Sequence, residues 1–193
     1  MNANGYLYLI IGPMFAGKSS KLIRLIRNFK SKEIQVLSIK HSLDIRYGNN
    51  LSKICTHDLI TEPCQATDNL IHYLNSSDYK NAQVIIIEEA QFFGQDLINF
   101  CTHAVDIDHK YLIVTGLSGD YKRNPFGLLL NLIPLADQIE KLEAYCHFCL
   151  DCVPASFTAK ISGTDEIVQV GQVEIYQPVC RKLYLEHGFD LTK

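Results

Sequence analysis

The fold of this chain is decided by Gly12-Pro13-Met14-Phe15-Ala16-Gly17-Lys18-Ser19, which fits the pattern G-x-x-x-x-G-K-[ST]. An apolar run at residues 6–11 precedes this stretch and an amphipathic run at residues 18–29 follows it, so it joins a predicted buried strand to a predicted helix. Glycines let successive backbone N–H groups face one anion, and the helix directs its positive end to the same place. The stretch therefore predicts a phosphate-binding loop, with Lys18 on the β- and γ-phosphates of a nucleoside triphosphate and the Ser19 hydroxyl on Mg²⁺.

Length and composition favour a compact enzyme. The 193 residues, 47% hydrophobic and 20% charged, suffice for one main domain with a small appendage. The apolar run near the N-terminus leads directly into the phosphate loop, so we expect no signal peptide, no membrane partner and a cytoplasmic protein. The net charge of −3 comes without a long basic run, which argues against nucleic acid as a partner.

Two further buried strands are predicted at residues 35–40 and 84–89, and the second ends in Glu88 and Glu89. Strand, loop, helix and strand form a βαβ unit with parallel strands. A carboxylate at the tip of a strand beside a phosphate loop orders Mg²⁺, and a neighbouring carboxylate can act as general base toward an acceptor hydroxyl. The pair therefore predicts one magnesium ligand and one base.

The segments around these strands predict the rest of a ligand site. Residues 42–61 read as a loop at the carboxyl end of a strand, which brings Asp44, Arg46 and His57 within reach of the phosphates. Residues 68–74, 94–102 and 127–133 are predicted helices, the last ending before Pro134, and residues 111–115 are a predicted strand. A mix of aromatic, apolar and cationic side chains then suits a pocket for the acceptor: Leu117, Tyr121, Lys122, Arg123 and Phe126.

Cysteines mark the last quarter of the chain. Cys146-x-x-Cys149, with Cys180 further on, predicts a small lobe pinned by zinc. Leu183 stands where a second C-x-x-[CH] half would end, so the fourth ligand stays open among His187, Cys152 and His147, or the site is weak or empty. Residues 156–161 and 166–170 alternate like the arms of a hairpin around a turn at residues 162–165, and a loop tied in this way can fold over a substrate. We expect a nucleotide-binding domain at residues 1–140 and a second domain at residues 141–193.

Taken together, several stretches resemble the thymidine kinase family of the cellular and poxviral type. They are residues 12–19, Asp44-Ile45-Arg46-Tyr47, Cys55-Thr56-His57-Asp58, Glu88-Glu89-Ala90-Gln91-Phe92-Phe93, Arg123-Asn124-Pro125-Phe126-Gly127, and the Cys-x-x-Cys before Tyr176 and Cys180-Arg181. The resemblance implies transfer of the γ-phosphate of ATP to the 5′-hydroxyl of thymidine, giving dTMP for DNA precursor synthesis. It also implies an α/β, RecA-like domain with a parallel sheet flanked by helices, and a small zinc-ribbon-like domain whose lasso loop holds the base. Members are usually homotetramers inhibited by dTTP in the thymidine site.

Matching positions carry the implied roles. Glu89 matches the catalytic base, and Ser19 and Glu88 match the magnesium site. The ATP and phosphate positions are Gly12, Pro13, Met14, Phe15, Ala16, Gly17, Lys18, Ser19, Asp44 and Arg46. The nucleoside positions are Met14, Phe92, Leu117, Tyr121, Phe126, Phe157, Thr158, Gln169, Val170, Gly171 and Tyr176. The zinc positions are Cys146, Cys149 and Cys180.

The chain departs from the family pattern at three places. Glu88 stands where aspartate is usual, Leu183 replaces the fourth zinc ligand, and Gln172 replaces a common second glycine after Gly171. Two other classes remain as alternatives. A phosphate-loop switch or ATPase lacks support because the guanine motif N-K-x-D is absent, and a zinc-ribbon module for nucleic acid lacks a fourth ligand and a basic balance. Within the enzymes, the alternative is a deoxynucleoside kinase with broader base choice.

Overall fold

The computed structural model describes residues 4–44, 52–56, 58–162 and 175–187. The strands in these ranges are β1 (Tyr6–Gly12), β2 (Val36–His41), β3 (Lys53–Cys55), β4 (Thr61–Pro63), β5 (Gln65–Thr67), β6 (Val84–Glu88), β7 (Tyr111–Leu117), β8 (Gln138–Lys141), β9 (Ala144–Tyr145), β10 (Pro154–Ala155), β11 (Phe157–Lys160) and β12 (Tyr176–Val179). The α-helices are α1 (Lys18–Lys30), α2 (Ser77–Asn81), α3 (Gln95–Thr102) and α4 (Arg181–His187). Short 3₁₀-helices cover Ile71–Asn75, Ala90–Phe92 and Leu129–Leu135, and a π-helical turn covers His103–Ile107. None of the described helices combines the length and apolar character needed to cross a bilayer.

A six-stranded parallel sheet forms the centre of the molecule. Its strand order is β5-β2-β6-β7-β1-β8, and all five pairings are parallel. Strands β1, β6 and β7 are largely apolar, and every residue of β6 is buried, as expected for a parallel sheet covered on both faces. The predicted α/β fold is confirmed.

Alternate residues of β1 contact opposite faces of the sheet. Leu7, Leu9 and Ile11 belong to one apolar cluster, which α3 covers with Leu97 and Phe100 among others. The intervening residues, Tyr8 and Ile10, belong to a second cluster that α1 covers with Leu22, Ile23 and Ile26. Helices therefore lie on both faces of the sheet. Because successive strand residues point to opposite faces, alternate side chains of β1 pack against different helices.

The C-terminal part has a core of its own beside the phosphate loop. Antiparallel pairs β9–β10 and β11–β12, followed by α4, surround a third cluster. Its buried members are Ala144, Cys146, Ala155, Ala159, Val179, Cys180 and Tyr184. Phe15 and Ala16 of the phosphate loop pack against this cluster, so the loop contacts both parts of the molecule.

Two predicted helices are wrong in type and bounds. In place of a helix at residues 68–74 there is a 3₁₀-helix at Ile71–Asn75, because the Thr67 hydroxyl and the Asn69 amide accept the backbone N–H groups of Asn69 and Ile71 and so compete with a helix. In place of a helix at residues 127–133 there is a 3₁₀-helix at Leu129–Leu135 that includes Pro134. Gly127, with φ of 59°, has left-handed backbone and cannot start a helix.

Two other expectations need correction or lie outside the described residues. The predicted loop at residues 42–61 contains β3, which pairs antiparallel with β4. Within the described ranges, β11 pairs with β12. The arm at residues 166–170 and most of its turn lie outside those ranges.

Candidate active site

The phosphate loop leaves β1 and closes around the Lys18 side chain. Gly17 has φ of 76° and Phe15 has φ of 62°, so the loop passes through left-handed backbone before α1 begins. The Lys18 ammonium is buried and donates to the carbonyl oxygens of Gly12 at 3.2 Å and Pro13 at 2.6 Å. The loop therefore places a cation where the pattern predicts the phosphates.

Ser19 and Glu88 meet at the end of β6. The Ser19 hydroxyl donates a short hydrogen bond to Glu88 Oε1, although the two residues lie 69 positions apart in sequence. Glu88 is buried and is paired in register with Lys40 of β2. Lys40 in turn forms a buried ion pair with Asp44 Oδ2 at 3.4 Å. The structure thus brings together the two predicted magnesium ligands and places Asp44 nearby, while Arg46 and His57 lie outside the described residues.

Glu89 leaves the strand in a different direction. Its backbone is left-handed, with φ of 54° and ψ of 41°, and its side chain is buried. Such a backbone costs on the order of 1–3 kcal/mol for a residue other than glycine and is held only where the surroundings impose it. The turn separates two successive carboxylates, so that Glu88 contacts Ser19 and Glu89 contacts Gln91.

Gln91 is a site residue to which the sequence analysis assigned no role of its own. Its Nε2 donates to Glu89 Oε2, and its Oε1 accepts the backbone N–H of Leu117 at 3.0 Å. The available signal was a polar residue two positions after the predicted base, in a stretch that is otherwise apolar after Glu89. Through this amide, Leu117 at the end of β7 is linked to Glu89.

The predicted acceptor residues form two groups. In the first, the Thr158 hydroxyl accepts the backbone N–H of Met14 at 3.0 Å, and the Tyr121 and Tyr176 rings lie 6.1 Å apart. In the second, the Phe92 ring meets the Phe126 ring edge to face, with centroids 5.6 Å apart. Both groups border the loops at the carboxyl ends of the parallel strands, where ligands of such sheets bind.

Phe157 contacts a third set of side chains. The Phe157 ring lies 5.2 Å from the Tyr184 ring, with the guanidinium groups of Arg123 and Arg181 within 5.5 Å and 4.8 Å of its centroid. Gln169, Val170 and Gly171 lie outside the described residues.

Three thiols converge in the C-terminal part. The sulfur atoms of Cys146, Cys149 and Cys180 all lie within 4.8 Å of one another, and those of Cys149 and Cys180 are 3.9 Å apart. Burial opposes ionisation of Cys146, but hydrogen bonds from the Cys180 and Phe148 backbone outweigh it, so that its pKa is lowered. Three converging thiols suit a soft or borderline cation such as Zn²⁺.

No fourth ligand joins these thiols among the described residues. Leu183 packs against the cluster with an apolar side chain, and Cys152 is exposed with φ of 50°. The backbone N–H of His147 donates a hydrogen bond to the Pro178 carbonyl oxygen. The His187 side chain lies outside what the structure describes.

Comparisons with known proteins agree with this geometry. A family model described as thymidine kinase matches residues 5–184. The chain is 40% identical over 185 residues to thymidine kinase a of Arabidopsis thaliana, covering 94% of this chain and 76% of the relative. It is 43% identical over 183 residues to thymidine kinase of Yaba monkey tumor virus (95% and 96% covered), and 39% identical over 183 residues to that of vaccinia virus, strain Western Reserve (94% and 98%). A match over most of the chain, with a phosphate loop joined to a strand-end carboxylate, shows that this chain belongs to the thymidine kinase family.

Proposed function

We propose that this chain is an ATP-dependent thymidine kinase, which transfers the γ-phosphate of ATP to the 5′-hydroxyl of thymidine and yields dTMP and ADP. The observation that carries the proposal is the junction of β6 with the phosphate loop. There Glu88 accepts a hydrogen bond from Ser19, and the next residue, Glu89, has left-handed backbone and contacts Gln91 instead. A phosphoryl transfer enzyme needs this division between a metal-side carboxylate and an acceptor-side carboxylate.

The donor half of the site is the phosphate loop. The backbone N–H groups of residues 12–19 and the Lys18 ammonium bind the phosphates, with Asp44 and Arg46 as further phosphate-side residues. Ser19 and Glu88 would hold Mg²⁺, which when bound would supply positive charge to offset the negative charge of the phosphates. Because such transfers rely on positioning and electrostatics, the buried setting of Lys18 and Glu88 strengthens both effects.

The chemical step uses Glu89. Its carboxylate accepts the proton of the 5′-hydroxyl while that oxygen bonds to the γ-phosphorus, and the bond from the γ-phosphorus to the bridging oxygen breaks to release ADP. Glu89 is 5% exposed, which limits the access of bulk water to the proposed base.

The acceptor half combines the aromatic groups with the C-terminal part. Thymidine binds among Met14, Thr158, Tyr121 and Tyr176, with Phe92, Leu117, Phe126 and Phe157 as further pocket residues and Gln169, Val170 and Gly171 as lasso residues. The hydrogen bond from Met14 to Thr158 supports this placement because it joins the donor loop to β11.

The remaining features of the proposal follow from membership of the family. The chain divides near residue 141 into nucleotide-binding and lasso domains, Cys146, Cys149 and Cys180 hold a structural Zn²⁺, and dTTP inhibits from the thymidine site. The protein assembles as a homotetramer and acts in the cytoplasm. Supporting observations are the separate apolar cluster of the C-terminal part and the convergence of three thiols within it.

Phosphate transfer from ATP with Mg²⁺ to a panel of nucleosides tests the proposal, with hydrolysis recorded in the absence of acceptor. We expect transfer to thymidine and deoxyuridine, none to deoxycytidine or purine nucleosides, and loss of transfer in Glu89→Gln with ATP binding retained. Transfer to several bases would instead establish a broad deoxynucleoside kinase. Hydrolysis without any transfer would refute the kinase.

A further inference from the structure

The Gln91 side chain occupies a position between the proposed base and the end of β7. It is 2% exposed, donates from Nε2 to Glu89 Oε2, and accepts at Oε1 from the Leu117 backbone N–H at 3.0 Å. A backbone N–H can only donate, so the amide must turn its oxygen toward Leu117. This orientation leaves the amide NH₂ for the carboxylate, and the direction of both bonds is fixed.

Two glycines leave the space that Gln91 fills. A Cβ at Gly116 would stand 2.4 Å from Gln91 Oε1, and a Cβ at Gly127 would stand 2.1 Å from the Gln91 carbonyl oxygen. Both distances are far shorter than any ordinary contact. The backbone of β7 and the turn at Gly127 therefore approach Gln91 closely on its side-chain and main-chain sides, and little space is left for another rotamer.

This packing matters because Glu89 itself lies at an unusual point of the backbone. Its left-handed conformation directs the carboxylate away from the line of β6, so strand geometry does not orient it. The hydrogen bond from Gln91 fixes the rotation of that carboxylate and hence the direction of its other lone pairs. The anchor is Leu117, a main-chain group of the central sheet, which is far stiffer than a side chain on a loop.

We propose that Gln91 is a positioning residue of this kinase: it holds the Glu89 carboxylate in the orientation that accepts the proton of the acceptor hydroxyl. The inference rests on the proposed function, since it assigns Gln91 a role only through Glu89. Gln91 acts on the rate of the chemical step and not on the binding of either substrate. A purely structural glutamine in the same place would affect stability and binding as well.

Gln91→Glu is the first test because the variant keeps the shape and the acceptor for Leu117 but sets a second carboxyl group against Glu89. It is assayed from neutral to alkaline pH, because two carboxyl groups in contact share one proton and only the fully ionised pair lacks the donor to Glu89. We expect kcat to fall roughly 10- to 150-fold, the range for a lost hydrogen bond to a charged group, with KM for ATP and thymidine within about threefold. Gln91→Met, which removes both bonds, is the second variant and should lose at least as much kcat. Gln95→Met, at an exposed position of α3, is the matched control and should match wild type.

A double-mutant cycle separates positioning through Glu89 from an independent effect. If Gln91 acts through Glu89, adding Gln91→Glu to Glu89→Gln should lower the residual rate by less than about threefold. A full additional loss in the double variant would overturn the proposal, as would unchanged kcat in folded Gln91→Glu, or a rise in KM with kcat unchanged. Wild-type protein is assayed alongside, because absence of thymidine phosphorylation there would refute the proposed function instead.

Discussion

Supplying a fourth thiol to the cluster of Cys146, Cys149 and Cys180 should give it a complete set of four zinc ligands. Leu183 lies in the first turn of α4, three residues after Cys180, and packs against the cluster that contains Cys146. Zinc–sulfur bonds of about 2.3 Å place tetrahedral thiolates about 3.8 Å apart. The sulfur atoms of Cys149 and Cys180 are already 3.9 Å apart. Leu183→Cys therefore adds a thiol beside ligands that need little movement.

The expected gain in affinity is large. Four-ligand structural zinc sites contribute about 10–16 kcal/mol at neutral pH, so one thiolate of four contributes about 2.5–4 kcal/mol. Leu183→Cys should tighten zinc binding by roughly 10²- to 10³-fold. Competition of the purified, metal-stripped proteins with a chromophoric chelator measures this directly. The thermal midpoint in excess zinc should rise in step with the affinity, because zinc stabilises the folded state that binds it.

Controls identify the fourth ligand of the natural chain. Leu183→Ala removes the same side chain without adding a ligand, so it should bind zinc as wild type does or more weakly. Wild-type affinity in Leu183→Cys would refute the reasoning, because it would mean that the fourth position is already filled. A loss of affinity in Cys152→Ser would then assign that position to Cys152.

Two further outcomes follow from side-chain contacts. Hydrogen bonds from Arg27 and Lys30 outweigh the burial of Glu62 and lower its pKa, so its contribution to stability is present above the unfolded-state pKa and is lost as pH falls through the folded-state value. Glu62→Gln should cost about 1 kcal/mol of unfolding free energy at neutral pH, and denaturant titrations should show wild type and variant converging in acid. Thr158→Val leaves the Met14 N–H without its acceptor and should lower kcat/KM about 5- to 150-fold in steady-state assays. Thr158→Ser keeps the hydroxyl, so its kcat/KM should stay within about threefold of wild type. Equal losses in the two variants would contradict a role for the hydroxyl.

The central part of the fold could be predicted because its signals are local. Strands β1, β6 and β7 each contain an apolar run of four or more residues, and the helix after Lys18 shows its buried face in the spacing of Leu22 and Ile26. The edge strands β5 and β8 could not be predicted in this way. They have three and four residues, and their residues are mostly partly or fully exposed, so no apolar run marks them and their pairing is decided by the neighbouring strand.

The same distinction between local and tertiary signals applies to the candidate site. Lys18, Ser19 and the pair of carboxylates are recognisable because each lies at a fixed offset from a strand or from the loop pattern. The bond from Gln91 to Leu117 depends on how the turn after β6 lies against the end of β7, and only the tertiary structure determines that distance. Gly116 and Gly127 are signals of this close approach, but a glycine shows that space is needed without showing what fills it.

In the proposed function, the ATP site and the thymidine site meet at the phosphate loop. Lys18 faces the loop carbonyls, Phe15 and Ala16 pack against the C-terminal cluster, and the Met14 N–H bonds Thr158 of β11. A change in the C-terminal part therefore reaches the backbone of the phosphate loop through the hydrogen bond to Thr158 and the apolar contacts of Phe15 and Ala16. For this reason, zinc binding is expected to affect more than the stability of the C-terminal part. Leu183→Cys with zinc bound should also lower the KM for ATP. An unchanged KM would show that the phosphate loop keeps its conformation without support from the C-terminal part.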